Sequence, residues 1–486
     1  MNNKSFPRDS FKPTSACSPQ VLWQRQDWMM GLNNQIWLER TGQRQLELQH
    51  WIDREQYPRI LLVQTDPLEF LAGFMAACLC DCPVFLGNPH WQRSEWQQVL
   101  HLANPQIIWG VSQLPKIDIP EPTPTQPKEK GWILIPTGGS SGQIRFAIHT
   151  WSTLAASVKG CQRHFFGNQP DAIHSCCWLP LYHVSGLMQF MRSLLTDGQF
   201  ILLPKHCFST HPPLVPDIAA FLDSESKQPQ QYFLSLVPTQ LQRLLQQSDA
   251  RLQWLARFRT ILVGGAPAWP SLLKTARQHQ LRLALTYGMT ETASQVATLD
   301  PNQFLLGAIH NGPVLPHAQI TIRDDQLKPV TANTIGQVVI QSDSLCKGYY
   351  PQRFASSHQF LTDDIGYFND YEELHIVGRL SRKIISGGEN IFPEEIESVL
   401  LGTGMVKDVM VFGEPHPDWG QSITALVVPL SPHFSLPALK SMLANQLSAF
   451  KQPQQWHVLP ELPRNPQGKI DPAQTRTAVQ FPQSEG

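Results

Sequence analysis

A run of small, hydroxyl-bearing residues, Thr137-Gly138-Gly139-Ser140-Ser141-Gly142, follows the apolar stretch Ile133–Pro136. Side chains this small let backbone N–H groups and hydroxyls close around phosphate oxygens that bulkier residues would keep out. The run lacks the Gly-Lys-Ser/Thr ending of a Walker loop, so by itself it is a weak signal. Two more glycine turns follow apolar runs. Leu262–Pro267 (LVGGAP) offers Gly264, Gly265 and Ala266, whose backbone a flat ring such as adenine can approach. Ala284–Ser294 (ALTYGMTETAS) offers in order a ring for stacking at Tyr287, an open floor at Gly288, Met289, a hydroxyl at Thr290 and a carboxylate at Glu291. One carboxylate suits Mg²⁺, a hard cation that takes one or two protein carboxylates and completes its shell from phosphate and water. Ligands of α/β proteins bind beyond the carboxyl ends of strands, where three such turns belong.

The elements that must hold these groups can be read around them. From Trp132 onward a β-run, a glycine-rich turn and a helix recur, the pattern of an α/β architecture. Further on, a Thr362-Asp363-Asp364 turn leads to the extended run Leu374–Val377, which halts at Gly378-Arg379. A second extended run, Lys383–Ser386, breaks at Gly387-Gly388, and Pro393 opens a helix with Glu394 and Glu395 in its first turn. Proline at the first helical position and acids near the positive end are what a helix start requires. The segment therefore joins two folded units. After Leu380 the strands Val409–Phe412 and Ile423–Val428 and the helix Leu436–Phe450 read as a separate small α+β domain. Close to the end, Asn465-Pro466 and Gln467-Gly468 are turn signals that set Lys469 on an exposed tip.

A chain of 486 residues, 42% hydrophobic and 16% charged, is globular and long enough for two to four domains. A net charge of −1 without a long basic run argues against nucleic acid or an anionic membrane as partner. The N-terminal stretch lacks the apolar core of a secretory signal, and the most apolar segment, Phe70–Leu86, is interrupted by Asp81 and Pro83. A cytoplasmic protein without membrane insertion is expected. Cys78, Cys80 and Cys82, among nine cysteines, have no zinc-spaced partners and read as buried thiols. Pro115–Lys130, rich in proline and charge, reads as a surface connector.

Over about residues 130–470 these motifs resemble those of the adenylate-forming enzymes, the acyl-CoA synthetases and adenylation domains. The resemblance implies a large N-terminal ATP- and acyl-binding domain with α/β subdomains, residues 1–380, and a small mobile C-terminal α+β domain, residues 381–486. It implies ATP or AMP contacts from Thr137 through Gly142, from Arg145, from Gly264, Gly265 and Ala266, and from Tyr287 through Thr290, with Mg²⁺ at Glu291 and Thr137. Asp364 would hold the ribose hydroxyls, Arg379 would reach the nucleotide, and Lys469 would bridge the acyl carboxylate and the α-phosphate. Gly387, Gly388 and Glu389 would line the pantetheine path of coenzyme A. The chain departs from the pattern at Gly138 (usually Ser), Ser140 and Ser141 (Thr), Ile144 (Pro) and Arg145 (Lys), the last exchanging a point charge for a fork. Asp363 stands where Gly is usual, and Arg382 takes the hinge position, where Asp or Lys is commoner.

Leu179–Leu187 (LPLYHVSGL) resembles the acyl-pocket segment of acyl-CoA ligases, in the form typical of those acting on o-succinylbenzoate, and makes His183 a candidate for the pocket wall and for catalysis. The expectation is an acid–thiol ligase that uses ATP, Mg²⁺ and coenzyme A on a small-molecule carboxylate, o-succinylbenzoate first, in menaquinone or phylloquinone biosynthesis. A ligase for another aryl or fatty acid, or an adenylation enzyme that loads a carrier protein, would share the ATP motifs. A homodimer is compatible with all of these.

Overall fold

The computed structural model describes residues 18–111, 117, 121–138, 143–169, 171–204, 231–355, 359–463 and 475. Among them the larger part of the chain builds two seven-stranded sheets. The first runs in the order Met29–Met30, Phe200–Leu202, His174–Cys177, Tyr232–Leu236, Thr260–Val263, Leu283–Met289, Ser294–Thr298, parallel throughout except for the last pair. Its strands are apolar on both sides because both faces are covered, as a parallel sheet demands. The second runs Gln352–Arg353, Gly348–Tyr349, Ile144–Thr150, Trp132–Gly138, Val84–Leu86, Ile60–Leu62, Ile107–Trp109. It is antiparallel through the first four and parallel beyond.

The small-residue run sits differently from the expected strand, loop and helix. The strand Trp132–Gly138 carries on through Thr137 and Gly138, and Thr137 pairs with Arg145 on the returning strand Ile144–Thr150. The strands Trp132–Gly138 and Ile144–Thr150 thus pair antiparallel, and a strand, not a helix, begins at Ile144. Helix Trp151–Phe166 starts only after the second strand, where the Thr150 hydroxyl accepts from Thr153 N. The returning strand is a strand because every second residue of Phe146, Ile148 and their neighbours has a buried place to fill.

A four-stranded antiparallel sheet follows, in the order Ala318–Arg323, Gly336–Ser342, Phe360–Phe368, Leu374–Arg379. Thr362, Asp363 and Asp364 lie inside the strand Phe360–Phe368 and do not form a turn, because the ladder pairs Leu361 with Val339 and Asp364 with Arg379. A one-turn 3₁₀ segment, Leu380–Arg382, then leads into a five-stranded sheet. That sheet comprises Glu389–Ile391, Ile384–Ser386, Gly420–Pro429 and Val406–His416, with Gln455–Val458 joining Gly420–Pro429 in parallel. It has its own core, including Ile384, Ile396, Leu400, Val411, Ile423 and Leu439. The helix expected to reach Phe450 stops at Ala444, and Leu447 turns back onto this core. Helix Pro393–Gly402 opens on proline with Glu394 and Glu395 in its first turn, as expected, and packs against helix Pro270–Gln278 of the larger part.

Cys78 and Cys82 are buried as expected, whereas Cys80 is only half-buried; burial pushes all three thiols up, that of Cys80 to about 11. Among the described residues no group of three or more His, Cys, Asp or Glu side chains could hold a metal ion, and no helix is long and apolar enough to cross a membrane. The proline-rich connector is anchored more deeply than its composition suggests. Glu129, only 3% exposed, pairs with buried Arg59 at 3.4 Å, and Arg59 also donates to Thr123 O at 2.6 Å. A buried guanidinium requires such partners, and the connector supplies them.

Candidate active site

The turns singled out by their residue types meet along one path of contacts. Thr137 is the register partner of Arg145. The Arg145 guanidinium lies over the Tyr349 ring, 4.4 Å from Cζ to the centroid. Tyr349 Oη donates to Glu291 Oε1 at 2.6 Å, and the strand Trp132–Gly138 runs against the Thr290–Thr292 turn that carries Glu291. Four residues before Glu291, Tyr287 Oη donates to Asp364 Oδ2 at 2.9 Å, and Arg379 Nε donates to Asp364 Oδ1 at 3.1 Å. Gly264, at the end of the strand Thr260–Val263, abuts Thr286 of the neighbouring strand, while Gly265 and Ala266 are exposed beyond it. Gly264 and Glu291 follow the parallel-paired strands Thr260–Val263 and Leu283–Met289, the place such sheets reserve for ligands, and Asp364 and Arg379 meet Tyr287 from the antiparallel sheet.

Two readings need correction in detail. Tyr287 is 7% exposed, with its ring in a core cluster beside Val296 and Ile320, and is not an open stacking face. Burial, and then Asp364, hold its phenol well above the usual range, so it remains a hydrogen-bond donor. Gly288 is not an open floor on its Cβ side: a Cβ there would fall on Ser294 O, because the chain doubles back closely after the turn. Glycine is required at that crossing by the close approach.

Glu291 is 7% exposed, and its turn is pinned from several directions. Thr290 O lies 2.8 Å from His149 Nε2, and Glu291 O accepts from Cys346 N at 2.7 Å. Thr292 O accepts from Ser344 Oγ at 2.8 Å, and Ala293 O from Ser157 Oγ at 2.7 Å. Arg192 Nη2 reaches Ser294 Oγ at 2.9 Å and Gln295 Oε1 at 3.1 Å. Consecutive carbonyls thus find donors on different elements, which satisfies an irregular buried backbone and fixes where the acid points. A carbonyl only accepts, so His149 Nε2 carries the proton, and burial lowers that ring to about 4. Burial, followed by Glu291, raises the Tyr349 phenol, which keeps its proton. His149, Tyr349, Ser157, Ser344 and Arg192 were all missed from the sequence. Each is a common residue whose importance comes from a contact across the fold.

At the junction Asp363 Oδ1 accepts from Ser381 N at 3.0 Å, and its other oxygen accepts from the Ser381 hydroxyl. The residue that replaces the usual glycine therefore ties the 3₁₀ turn to the larger part. Arg382 turns to the small unit, donating from Nη1 to Glu394 Oε1 at 3.0 Å and from Nη2 to Glu397 Oε1 at 2.6 Å and Val411 O at 3.2 Å. Gly387 and Gly388 take positive φ, 58° and 84°, at an exposed hairpin with Glu389, and a Cβ on either glycine would meet nothing within 4 Å. His183 precedes helix Val184–Leu195, half-buried, its ring 4.6 Å from that of Tyr182. Arg192 belongs to the same helix, which links the Leu179–Leu187 segment to Ser294, just beyond the Glu291 turn. Gly139, Ser140, Ser141, Gly142 and Lys469 lie outside the described residues.

The AMP-binding enzyme model matches residues 109–350, and the AMP-binding enzyme C-terminal domain model matches residues 395–469. The chain belongs to the AMP-binding enzyme family, whose fold is the large N-terminal part and smaller C-terminal part described above. Among curated relatives, a 2-succinylbenzoate–CoA ligase of Listeria monocytogenes is 31% identical over 84% of this chain and 86% of its own. Among solved structures, the o-succinylbenzoate CoA synthetase of Bacillus subtilis with its acyl-adenylate intermediate superposes with a TM-score of 0.77 at 23% identity, covering 92% of this chain and 94% of that one. The same enzyme with ATP and magnesium gives a TM-score of 0.77 at 22% identity, covering 92% and 96%. At these identities the structural likeness speaks for the fold.

Proposed function

We propose that this chain is an ATP-dependent acid–thiol ligase that joins o-succinylbenzoate to coenzyme A through an acyl-adenylate, in menaquinone or phylloquinone biosynthesis. The chemistry is supported by one observation above all, the unbroken path Thr137–Arg145–Tyr349–Glu291 beside the Tyr287–Asp364–Arg379 contacts. The substrate is supported by the names of the curated relatives and by the Leu179–Leu187 segment.

In the first half-reaction a carboxylate oxygen attacks the α-phosphorus of ATP and pyrophosphate leaves. Asp364, held by Tyr287 and Arg379, offers a buried acceptor for the ribose hydroxyls. The small residues from Thr137 to Gly142 and the Arg145 cation would bind the phosphates, which their sizes and charge suit. Mg²⁺ would arrive with the triphosphate and neutralise part of its charge. The donor set suits that: Glu291 is one fixed carboxylate without a metal-holding cluster of acids among the described residues, the sparse ligation Mg²⁺ takes beside phosphate. Lys469 stabilises charge between acyl carboxylate and α-phosphate.

In the second half-reaction the coenzyme A thiolate attacks the acyl carbon and AMP leaves. We take residues 1–380 and 381–486 as the moving parts, with Arg382 as hinge, so that the small part withdraws Lys469 and presents the Gly387-Gly388-Glu389 hairpin to pantetheine. His183 lines the acyl pocket, where the second carboxylate of the substrate needs polar partners. The reaction uses small molecules alone, in the cytoplasm.

The test is AMP release by the purified protein across a panel of carboxylic acids, with and without coenzyme A. o-Succinylbenzoate should be far ahead of benzoate and hexanoate, and thioester should form only with coenzyme A. Comparable kcat/KM for hexanoate or a cinnamate would refute the substrate, and no AMP release with any acid would refute the chemistry.

A further inference from the structure

Arg145 and Tyr349 stand on neighbouring strands, Ile144–Thr150 and Gly348–Tyr349, which pair antiparallel at Ala147 and Tyr349. One aromatic ring serves two groups. Its face carries the Arg145 guanidinium at 4.4 Å, and its hydroxyl donates to Glu291 Oε1 at 2.6 Å. The cation at the exit of the small-residue hairpin and the acid of the Thr290–Thr292 turn are thereby held by one side chain that belongs to neither motif. The residue type at position 145 fits this arrangement. A delocalised, weakly hydrated guanidinium stacks on an aromatic face and still presents N–H donors at its rim, whereas a compact ammonium holds its water and stacks less well.

We propose that Tyr349 is a positioning residue of the ATP site, seating Arg145 toward the phosphates with its ring and aiming Glu291 toward the nucleotide's Mg²⁺ with its hydroxyl. The inference rests on the reading of Glu291 as the Mg²⁺-facing acid of an ATP site. Carboxylates that ligate metals are themselves oriented by hydrogen bonds, and loss of such a partner weakens metal binding by about 10–100-fold.

Calorimetric titration of the full chain with ATP at stepped Mg²⁺ concentrations, without any carboxylic acid, tests this in wild type, Tyr349→Phe, Glu291→Gln and Arg145→Lys. Phenylalanine keeps the ring and its stacking and removes only the donor. Tyr349→Phe should raise the Mg²⁺ concentration that half-restores ATP affinity by about tenfold or more, and leave Mg²⁺-free ATP binding unchanged. Turnover of this variant should return to the wild-type rate at saturating Mg²⁺; a rate that stays depressed at every Mg²⁺ concentration would mark a merely structural role and overturn the proposal. Arg145→Lys should weaken ATP binding about two- to fivefold at every Mg²⁺ concentration; wild-type affinity would overturn the seating of Arg145. If Glu291→Gln shifts the Mg²⁺ curve and Tyr349→Phe does not, the ATP-site reading stands and the positioning role falls. If Glu291→Gln leaves the curve in place, the reading itself fails and takes the proposal with it.

Discussion

Acid should destabilise this protein through His149, and the size of the effect follows from where that ring sits. It is fully buried, with Nε2 2.8 Å from Thr290 O and Nδ1 3.0 Å from Thr153 Oγ1. Burial is the main cause that lowers it from 6.5 to about 4; the bond to Thr290 opposes the shift, and Lys347 adds to it. In the unfolded chain the same ring titrates near 6.5, so between 6.5 and about 4 the unfolded state binds a proton that the folded state does not. A depressed folded value means that the stabilisation is complete above 6.5 and is lost as pH falls through about 4. The interval from 6.5 to about 4, at about 1.36 kcal/mol per pH unit, amounts to about 3 kcal/mol, a large share of a typical net stability. His317, likewise lowered to about 4 by burial, adds to the same slope and makes a single-residue control necessary. His149→Gln supplies it, since glutamine can donate to Thr290 O and does not titrate. Urea unfolding of both proteins at several pH values from 7.5 down to 4.5 should show the wild type losing stability faster, the difference in slope approaching one proton. Parallel curves would refute the argument, because they would mean that His149 is already protonated, or reaches water, in the folded state.

Lys469→Ala should slow acyl-adenylate formation by about 10²–10³-fold while sparing thioester formation from supplied acyl-AMP, and an equal loss in both steps would rule out alternating roles for the small domain. Gly160→Ala would set a Cβ on the His317 ring; thermal unfolding should report a loss of about 1–3 kcal/mol, and an unchanged midpoint would mean that the ring moves aside freely. Arg382→Met removes the cation shared by Glu394 and Glu397, of which Glu394 is already raised by burial and has Oε2 buried without a hydrogen bond. The side chain of Arg382 is 34% exposed, so solvent screens the loss to about 1–3 kcal/mol in urea unfolding, with restoration when Glu394→Gln is added.

Turns able to hold phosphate, metal and nucleotide are legible in the residue order alone, because such turns demand particular residue types at each place. Gly265 takes positive φ just beyond the strand Thr260–Val263, and Pro393 with two acids opens a helix, wherever the rest of the chain runs. Those requirements are local and leave a local trace. How the turns meet, by contrast, depends on long-range packing. The small-residue run could lead into a helix or a second strand, and the buried places waiting for Phe146 and Ile148 selected the strand. Tyr287 looked like an exposed ring until the strand bearing Asp364 arrived to take its hydroxyl. The donors for Thr290, Thr292 and Ala293 come from a histidine and two serines on distant elements, and Tyr349 links Arg145 to Glu291 across sheet neighbours. A histidine, a serine or a tyrosine carries no mark of its partner until folding brings the two within hydrogen-bond distance, since the partner is a backbone carbonyl or a side chain set by long-range packing.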